Sequence, residues 1–264
     1  MNIAFFLNRD IHANVALSVL VGALREHRVA VFLSEGVGHA PDLPALDLLR
    51  LIEQDIPNQL FPHVETEAEE ELRPFRAIER ALGTPFETLA DPNAPSALER
   101  VRALAPDLVV SIRYGRIFKD DFLRIPRRGV LNLHSGLLPD YRGILATLRA
   151  LLAGDDEIGC TLHFIGDSTI DTGPIVSEAR LPVDPEGSLF GHILSLYEPG
   201  AGLVLDAVER LSHGENLATR PQPSGGAYFT YPTAREMAAF EKTGRPIFRP
   251  SEYRALLRRF VAAP

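Results

Sequence analysis

The chain reads as an α/β protein built on a mostly parallel sheet, and three observations say so. An apolar run, Asn2 to Leu7, is followed by a helical stretch, Ala13 to Glu26, and a second apolar run, Val29 to Leu33. That β-α-β opening favours parallel strands. Asp107 to Ile112 (DLVVSI) is a continuous apolar run of the kind central parallel strands carry when helices cover both faces. Strand and helix candidates alternate along most of the rest of the chain.

In order, the segment 36–62 holds Pro41, Pro44 and Pro57 around a short helical candidate, Ala45 to Gln54. Glu65 to Leu82 reads as a long acidic helix ended by Gly83. Phe86 to Leu89 is a strand candidate. Ala94 to Leu104 is helical, with Asn93 or Ser96 as its cap and Pro106 beyond its end. After the Asp107 strand, Tyr114-Gly115-Arg116 turns the chain, and Gly129 to His134 is the next strand. Ile144 to Leu152 is a helix closed by Gly154. Cys160 to Ile165 and Ile175 to Leu181 are further strands. Ser188 to Leu211 is a long helix broken or kinked at Pro199-Gly200. Pro221 to Gly226 (PQPSGG) reads as a linker, followed by two short helices, Thr233 to Thr243 and Ser251 to Phe260. The expected division is a main domain, 1–220, and a short extension, 221–264, too small for its own core, that docks on the domain or on a partner subunit. A homodimer stays open on that reading.

Composition narrows the class. With 45% hydrophobic and 23% charged residues the 264-residue chain is an ordinary globular protein. The N-terminal apolar run is too short for a signal core or a membrane span, so a cytoplasmic location and no membrane partner are expected. A single cysteine, Cys160, excludes an internal disulfide and a cysteine-based zinc site, and no metal is expected. A formal net charge of −8 argues against nucleic acid as partner, the clusters Arg124-Arg127-Arg128 and Arg254-Arg258-Arg259 being read as solvated surface.

The chemistry is concentrated in Leu131 to Pro139 (LNLHSGLLP) and Asp171 to Pro174 (DTGP). Asn132 and His134 are two apart, so on a strand they share a face, and Gly136 with Pro139 ends that strand. Asp171, in a loop, can offer the imidazole a carboxylate. An amide, an imidazole and a carboxylate supply an oxyanion donor, a proton-transfer group and its orienter, the needs of acyl transfer.

The residues L-N-L-H-S-G-L-L-P-D-Y-R-G (131–143), L-L-A-G-D-D-E-I-G-C-T-L-H (151–163), D-T-G-P-I-V (171–176) and D-L-V-V-S-I-R-Y-G-R-I-F (107–118) resemble the catalytic domain of the 10-formyltetrahydrofolate-dependent formyltransferases. That family includes enzymes acting on methionyl-tRNA, glycinamide ribonucleotide, amino sugar nucleotides and small amines. The resemblance implies a Rossmann-like open, mostly parallel sheet with helices on both faces and 10-formyltetrahydrofolate as co-substrate. It implies that Asn132, His134 and Asp171 are catalytic. It places Gly115, Arg116, Ile117 and Phe118 on one wall of the pterin pocket, acting largely through backbone groups, and Gly166, Asp167 and Ile170 on the other. Tyr141, Arg142, Asn8 and Arg9 are candidate acceptor contacts, and His163 is read as structural.

Three departures steer the substrate. Ser135 and Gly136 stand in exchanged places relative to the common His-x-Ser-Leu-Leu-Pro loop, as in the sugar-nucleotide branch. The loop Asn8-Arg9-Asp10-Ile11-His12-Ala13-Asn14 lacks the glycines of a phosphate cradle, and Asp10 would repel a phosphate. The tail is too short for the β-barrel that the tRNA enzymes add. The expected activity is N-formylation of a small-molecule amine: an amino sugar nucleotide, an amino acid or a hydroxylamine such as hydroxyornithine. The alternatives are a formyltetrahydrofolate hydrolase and a methionyl-tRNA formyltransferase-like enzyme.

Overall fold

The computed structural model describes residues 1–36, 40–64 and 71–261. The elements follow as β1 (Asn2–Asn8), α1 (Ile11–Leu24), β2 (Arg28–Ser34), α2 (Pro44–Arg50), α3 (Ile56–Leu60), α4 (Phe75–Leu82), β3 (Phe86–Thr88), α5 (Pro95–Leu104), β4 (Leu108–Ile112), α6 (Asp120–Leu123) and β5 (Val130–His134). Then come β6 (Tyr141–Gly143), α7 (Ala146–Ala153), β7 (Glu157–Ile165), β8 (Ile175–Pro182), α8 (Leu189–Ser195), α9 (Tyr197–Ser212), β9 (Ala227–Phe229), α10 (Ala234–Lys242) and α11 (Pro250–Arg258).

Seven strands form one open sheet in the order β3-β2-β1-β4-β5-β7-β8. The first five are mutually parallel; β7 runs antiparallel to β5, and β8 antiparallel to β7. The α/β expectation therefore stands, with a hairpin at one edge. Helices cover both faces. Leu108, Val110, Ile112, Leu131 and Leu133 face α1 and α9, whereas Val109 and Val130 face the other way, with Phe118 and Phe122 around α6. This alternation is the period of two that a strand buried on both sides requires. The strand order reverses between β1 and β4, so the crevice outside their carboxyl ends is the natural ligand position.

Several boundaries differ from expectation for local reasons. Residues 65–70 of the expected acidic helix lie outside the described residues; α4 itself begins only at Phe75, after Pro74, and stops at Gly83, whose φ of 63° needs no Cβ. The long C-terminal helix breaks at Leu196 into α8 and α9. Pro199 then falls in the first turn of α9, where a missing N–H costs nothing. Gly200 is required for a different reason: a Cβ there would stand 2.8 Å from the Leu133 side chain and 3.2 Å from Cys160 Sγ.

The stretch 221–226 is not a free linker. Arg220 bridges to Ile175, and Gln222 Nε2 donates to the carbonyls of Asp171 (2.9 Å) and Gly173 (2.7 Å). Gly226 (φ 77°) lies so close to Pro139 that a Cβ would come within 2.0 Å of its carbonyl oxygen. β9 then pairs in parallel with β6. Further on, the Tyr253 hydroxyl donates to the Ile52 carbonyl (3.1 Å), and Phe260 packs on Phe61 with ring centroids 4.6 Å apart. The tail and the segment around α2 and α3 thus hold one another against the carboxyl edge of the sheet. No helix among the described residues is long and apolar enough to cross a membrane.

Candidate active site

Asn132 and His134 stand on one face at the carboxyl end of β5, as their spacing predicts. Register brings them opposite His163 and Thr161 of β7. Asp171 reaches the same place from the loop between β7 and β8, with a φ of 56° that turns its side chain back toward β5. The carboxylate is then held from three sides. His134 Nδ1 lies 3.4 Å from Oδ2, His163 Nε2 lies 3.4 Å from Oδ1, and the Gly143 amide donates to Oδ2 at 2.9 Å. Asn132 Nδ2 lies 3.3 Å from Oδ1 and 3.1 Å from His163 Nε2. Burial would raise the Asp171 pKa, but the charge of His134, the His163 side chain and the Gly143 amide outweigh it and hold the carboxyl at about 2. The group is an anion throughout the neutral range.

Both nitrogens of His134 face acceptors: Nδ1 faces Asp171, and Nε2 lies 2.6 Å from the Tyr141 carbonyl. A ring protonated at both nitrogens satisfies both. The contacts to Asp171 near 3.3–3.4 Å are long, at the weak end of the hydrogen-bond range, so substrate atoms can replace them at small cost. Cys160 supplies no nucleophile: burial pushes its thiol up to about 11.

The Ser135–Gly136 order has a steric cause. A Cβ at position 136 would stand 2.7 Å from His134 Nε2, 2.8 Å from the Tyr141 carbonyl oxygen and 2.5 Å from the Ala146 methyl. Glycine is therefore what lets the imidazole lie against the Tyr141 carbonyl. Ser135 points to the opposite face and meets the Tyr197 hydroxyl.

That contact leads to a second polar cluster, assembled from residues far apart in the chain. Arg113, just past β4, has a φ of 58°, and its side chain turns to the α1–α9 side of the sheet. Its guanidinium donates to Asp10 Oδ2 (2.7 Å), Glu53 Oε2 (2.7 Å) and the Tyr197 hydroxyl (3.3 Å). His12 Nε2 lies 3.2 Å from Glu53 Oε1. Burial disfavours the Glu53 anion, but Arg113 and His12 more than compensate and lower its pKa. Glu53 sits in a widened helical turn, Leu51–Asp55, between α2 and α3. Each partner lies in a different element, which is why no local pattern announces the group.

The remaining expected contacts divide. Ile117 and Ser168, from the two loops expected to face each other, line one cleft of about 610 Å³ with Lys119 and Arg124. Ile170, beside Gly166 and Asp167, is 36% exposed. Phe118 is 2% exposed, and its ring stacks on Phe122 and Tyr114 in the core, which leaves its backbone for a ligand, the kind of contact expected of this segment. Arg116 turns away from the Asp171 loop and donates to the carbonyls of Ala90, Gly115 and Gly36. Asn8 is a correction: fully buried, it donates to Asp10 and accepts from Ser34, so it has no surface for substrate. Arg9 reaches the Thr88 hydroxyl. Tyr141 donates its hydroxyl to Asp155 (2.6 Å), and only its carbonyl faces the site. Arg142, by contrast, has no hydrogen-bond or ion partner among the described residues, and its Nε is buried. His163, expected to be structural, lies inside the cluster. The signal was its position in T-L-H, which alternates it onto the face that Asn132 occupies on the neighbouring strand.

An open α/β sheet with an amide, an imidazole and a carboxylate gathered at one strand end defines a site suited to acyl transfer. The chain belongs to the formyl transferase family, whose model matches residues 28–191. It is 33% identical over 221 residues, 84% of its length, to the methionyl-tRNA formyltransferase of Thermus thermophilus, and 35% identical over 148 residues, 56% of its length, to that of Burkholderia multivorans. It spans 63% and 45% of the length of those two relatives. Among solved structures, the N-formyltransferase of Helicobacter canadensis, in complex with folinic acid and dTDP-3-aminofucose, superposes with a TM-score of 0.59 at 16% identity. That match covers 92% of this chain and 80% of the other and establishes likeness of fold.

Proposed function

We propose that this protein transfers the formyl group of 10-formyltetrahydrofolate to the amine of a small molecule. The observation that carries the reading is the convergence of Asn132, His134 and Asp171 from β5 and the β7–β8 loop. In this reading the attacking amine nitrogen forms a bond to the formyl carbon, the bond from that carbon to N10 breaks, and the amine proton passes to N10. Asn132 Nδ2 and a protonated His134 donate to the negative charge that develops on the formyl oxygen. Asp171, anionic at neutral pH, orients His134 and accepts or relays the amine proton, directly or through water. Family membership supports the donor, and so does the folinic acid bound by the Helicobacter relative. The cleft of about 610 Å³ takes one residue from each of the two loops expected to hold the pterin, Ile117 and Ser168, and the rest of its lining from Lys119, Asp120, Asp121 and Arg124 at α6.

Two observations favour a small acceptor without a ribose phosphate bound in the β1–α1 loop. The α1 N-terminus is already capped by Asp10, whose Oδ1 accepts from the Ala13 amide at 2.8 Å, so a carboxylate fills the place of an anion. The same side of the sheet carries Glu53 as well. A second reading, formylation of an aminoacyl-tRNA, is supported by the identity to the methionyl-tRNA enzymes. The test is release of tetrahydrofolate from 10-formyltetrahydrofolate with a panel of amino sugar nucleotides, amino acids and hydroxylamines, and with methionyl-tRNA. Turnover with one small amine is expected. Turnover with the tRNA alone would overturn the small-acceptor reading, and formate release without any acceptor would mark a hydrolase.

A further inference from the structure

Asn132 and His134 are held in place by the sheet, since β5 is paired on one side with β4 and on the other with β7. Asp171 is placed differently. It lies in the loop between β7 and β8, whose residues 166–170 are all exposed. Its φ of 56° is left-handed, a state that a residue with a Cβ keeps only where the surroundings fix it. The contacts of its carboxylate to His134 and Asn132 are the long ones that substrate atoms can replace, so they are poor anchors. The Gly143 amide fixes one carboxylate oxygen but not the backbone behind it. The side chains of Asp167, Thr169 and Thr172 bond one another inside the loop. Gly173 rests on β7, so close that a Cβ would stand 1.7 Å from the Phe164 carbonyl oxygen.

The Asp171 backbone is caught from the far side of the loop by the C-terminal extension. Gln222 Nε2 donates to the carbonyls of both Asp171 (2.9 Å) and Gly173 (2.7 Å). Among the described residues, no other side chain from outside the loop bonds the backbone of 166–173. Gln222 is itself held in register. Two residues earlier, Arg220 exchanges both backbone bonds with Ile175 (2.8 and 2.9 Å), and an antiparallel run from there sets Gln222 opposite Gly173. Pro221 and Pro223 flank it and restrict its backbone further. The chain then passes Gly226 and enters β9, where the Phe229 carbonyl accepts from the Ile144 amide at 2.8 Å. β9 braces β6, and β6 offers the Tyr141 carbonyl to His134 and the Gly143 amide to Asp171. One continuous segment, 220–229, thus borders both members of the pair: Asp171 through Gln222, and His134 through β6.

We propose that Gln222 is a positioning residue of the reaction, holding the Asp171 backbone so that the carboxylate stays on His134 while substrate displaces the contacts around it. Its part in turnover rests on the formyl-transfer reading above; its hold on Asp171 does not. Gln222→Met keeps the length of the side chain and removes both donors. In the full chain it should lower kcat for tetrahydrofolate release about ten- to a hundredfold and leave KM for 10-formyltetrahydrofolate unchanged. Gln222→Glu, which sets a carboxylate against two carbonyl oxygens, should fall at least as far. Because the effect runs through Asp171, adding Gln222→Met to Asp171→Asn should cost no further activity. A native kcat, an equal change in KM, or losses that multiply in the double variant would overturn the proposal. A second measurement needs no folate. The fall of the unfolding midpoint between about pH 4 and pH 2 reports the depressed Asp171 carboxyl, which His134 of β5 and His163 of β7 face. In Gln222→Met that carboxyl moves back toward its ordinary range, so the fall should shrink. A general loss of stability would lower the whole profile without changing its shape, and a profile of wild-type shape would overturn the hold on Asp171. Failure of every amine to turn over would remove the transfer reading and leave this profile to decide what Gln222 does.

Discussion

Two polar clusters sit at the carboxyl edge of the same sheet, on opposite faces, and they are held in opposite ways. Around Asp171 the contacts to His134, His163 and Asn132 run from 3.3 to 3.4 Å, and the groups are amides and imidazoles. Around Arg113 the contacts to Asp10 and Glu53 are both 2.7 Å, and the groups carry full charges. Loosely held, neutral or switchable donors can be taken up by a substrate. A buried guanidinium between two carboxylates cannot be released without leaving uncompensated charge. The first cluster is built to be interrupted and the second to stay closed. The single strand end between them, His134 on one side and Ser135 on the other, ties the closed cluster to the open one through Tyr197.

The largest expected separation of the two comes from His134→Ala. Turnover should fall by about 10³–10⁴-fold with folding retained, as measured by tetrahydrofolate release and thermal unfolding on the same preparation. A melting temperature that falls in proportion would make the first cluster structural. Arg113→Met should do the reverse. It strands Asp10 and Glu53, costing about 3–5 kcal/mol in urea unfolding, with a smaller loss of turnover per folded molecule. A full-strength fold in that variant would break the comparison.

Next comes the pH dependence of Asp171. Its folded pKa, about 2, lies below the ordinary carboxyl value of 3.8. A depressed carboxyl contributes stability that is complete above the unfolded pKa and is lost as pH falls through the folded one. The gain, about 2 kcal/mol from roughly two pKa units, should therefore be present at pH 6 and disappear between about pH 4 and pH 2. Asp171→Asn should flatten that part of the unfolding-midpoint profile, and an unchanged profile would remove the ionic account of the cluster. The smallest effect is Gly136→Ala. The added methyl presses on the His134 ring, so turnover should drop about tenfold while overpacking lowers stability by roughly 1 kcal/mol. A variant with native turnover would mean that the ring has room to move.

The legible parts of the molecule are those in which cause and effect are close in the chain. The β-α-β opening, the DLVVSI strand, the Gly83 and Gly154 helix ends and the shared face of Asn132 and His134 follow from periods of two and 3.6 and from glycine's freedom at positive φ. The motif L-N-L-H with D-T-G-P was enough to bring Asn132, His134 and Asp171 forward as one group. Asn8 went the other way, since nothing local distinguishes a strand-end amide that faces a ligand from one that completes the core.

What sequence order could not encode locally is who meets whom across the fold. Arg113, Asp10, Glu53 and Tyr197 come from four elements separated by as many as 187 positions, 10 to 197, and become neighbours only when β1 and β4 pair and α9 packs on α1. The stretch 221–226 is rich in Pro and Gly and reads as a linker, yet Gln222 and β9 fasten it to the catalytic loop. The nature of the chemistry was written in a few consecutive residues, because a strand end and a turn are local structures. The walls around it were set by long-range packing, because a buried charge or an unpaired strand edge accepts whichever distant segment can satisfy it.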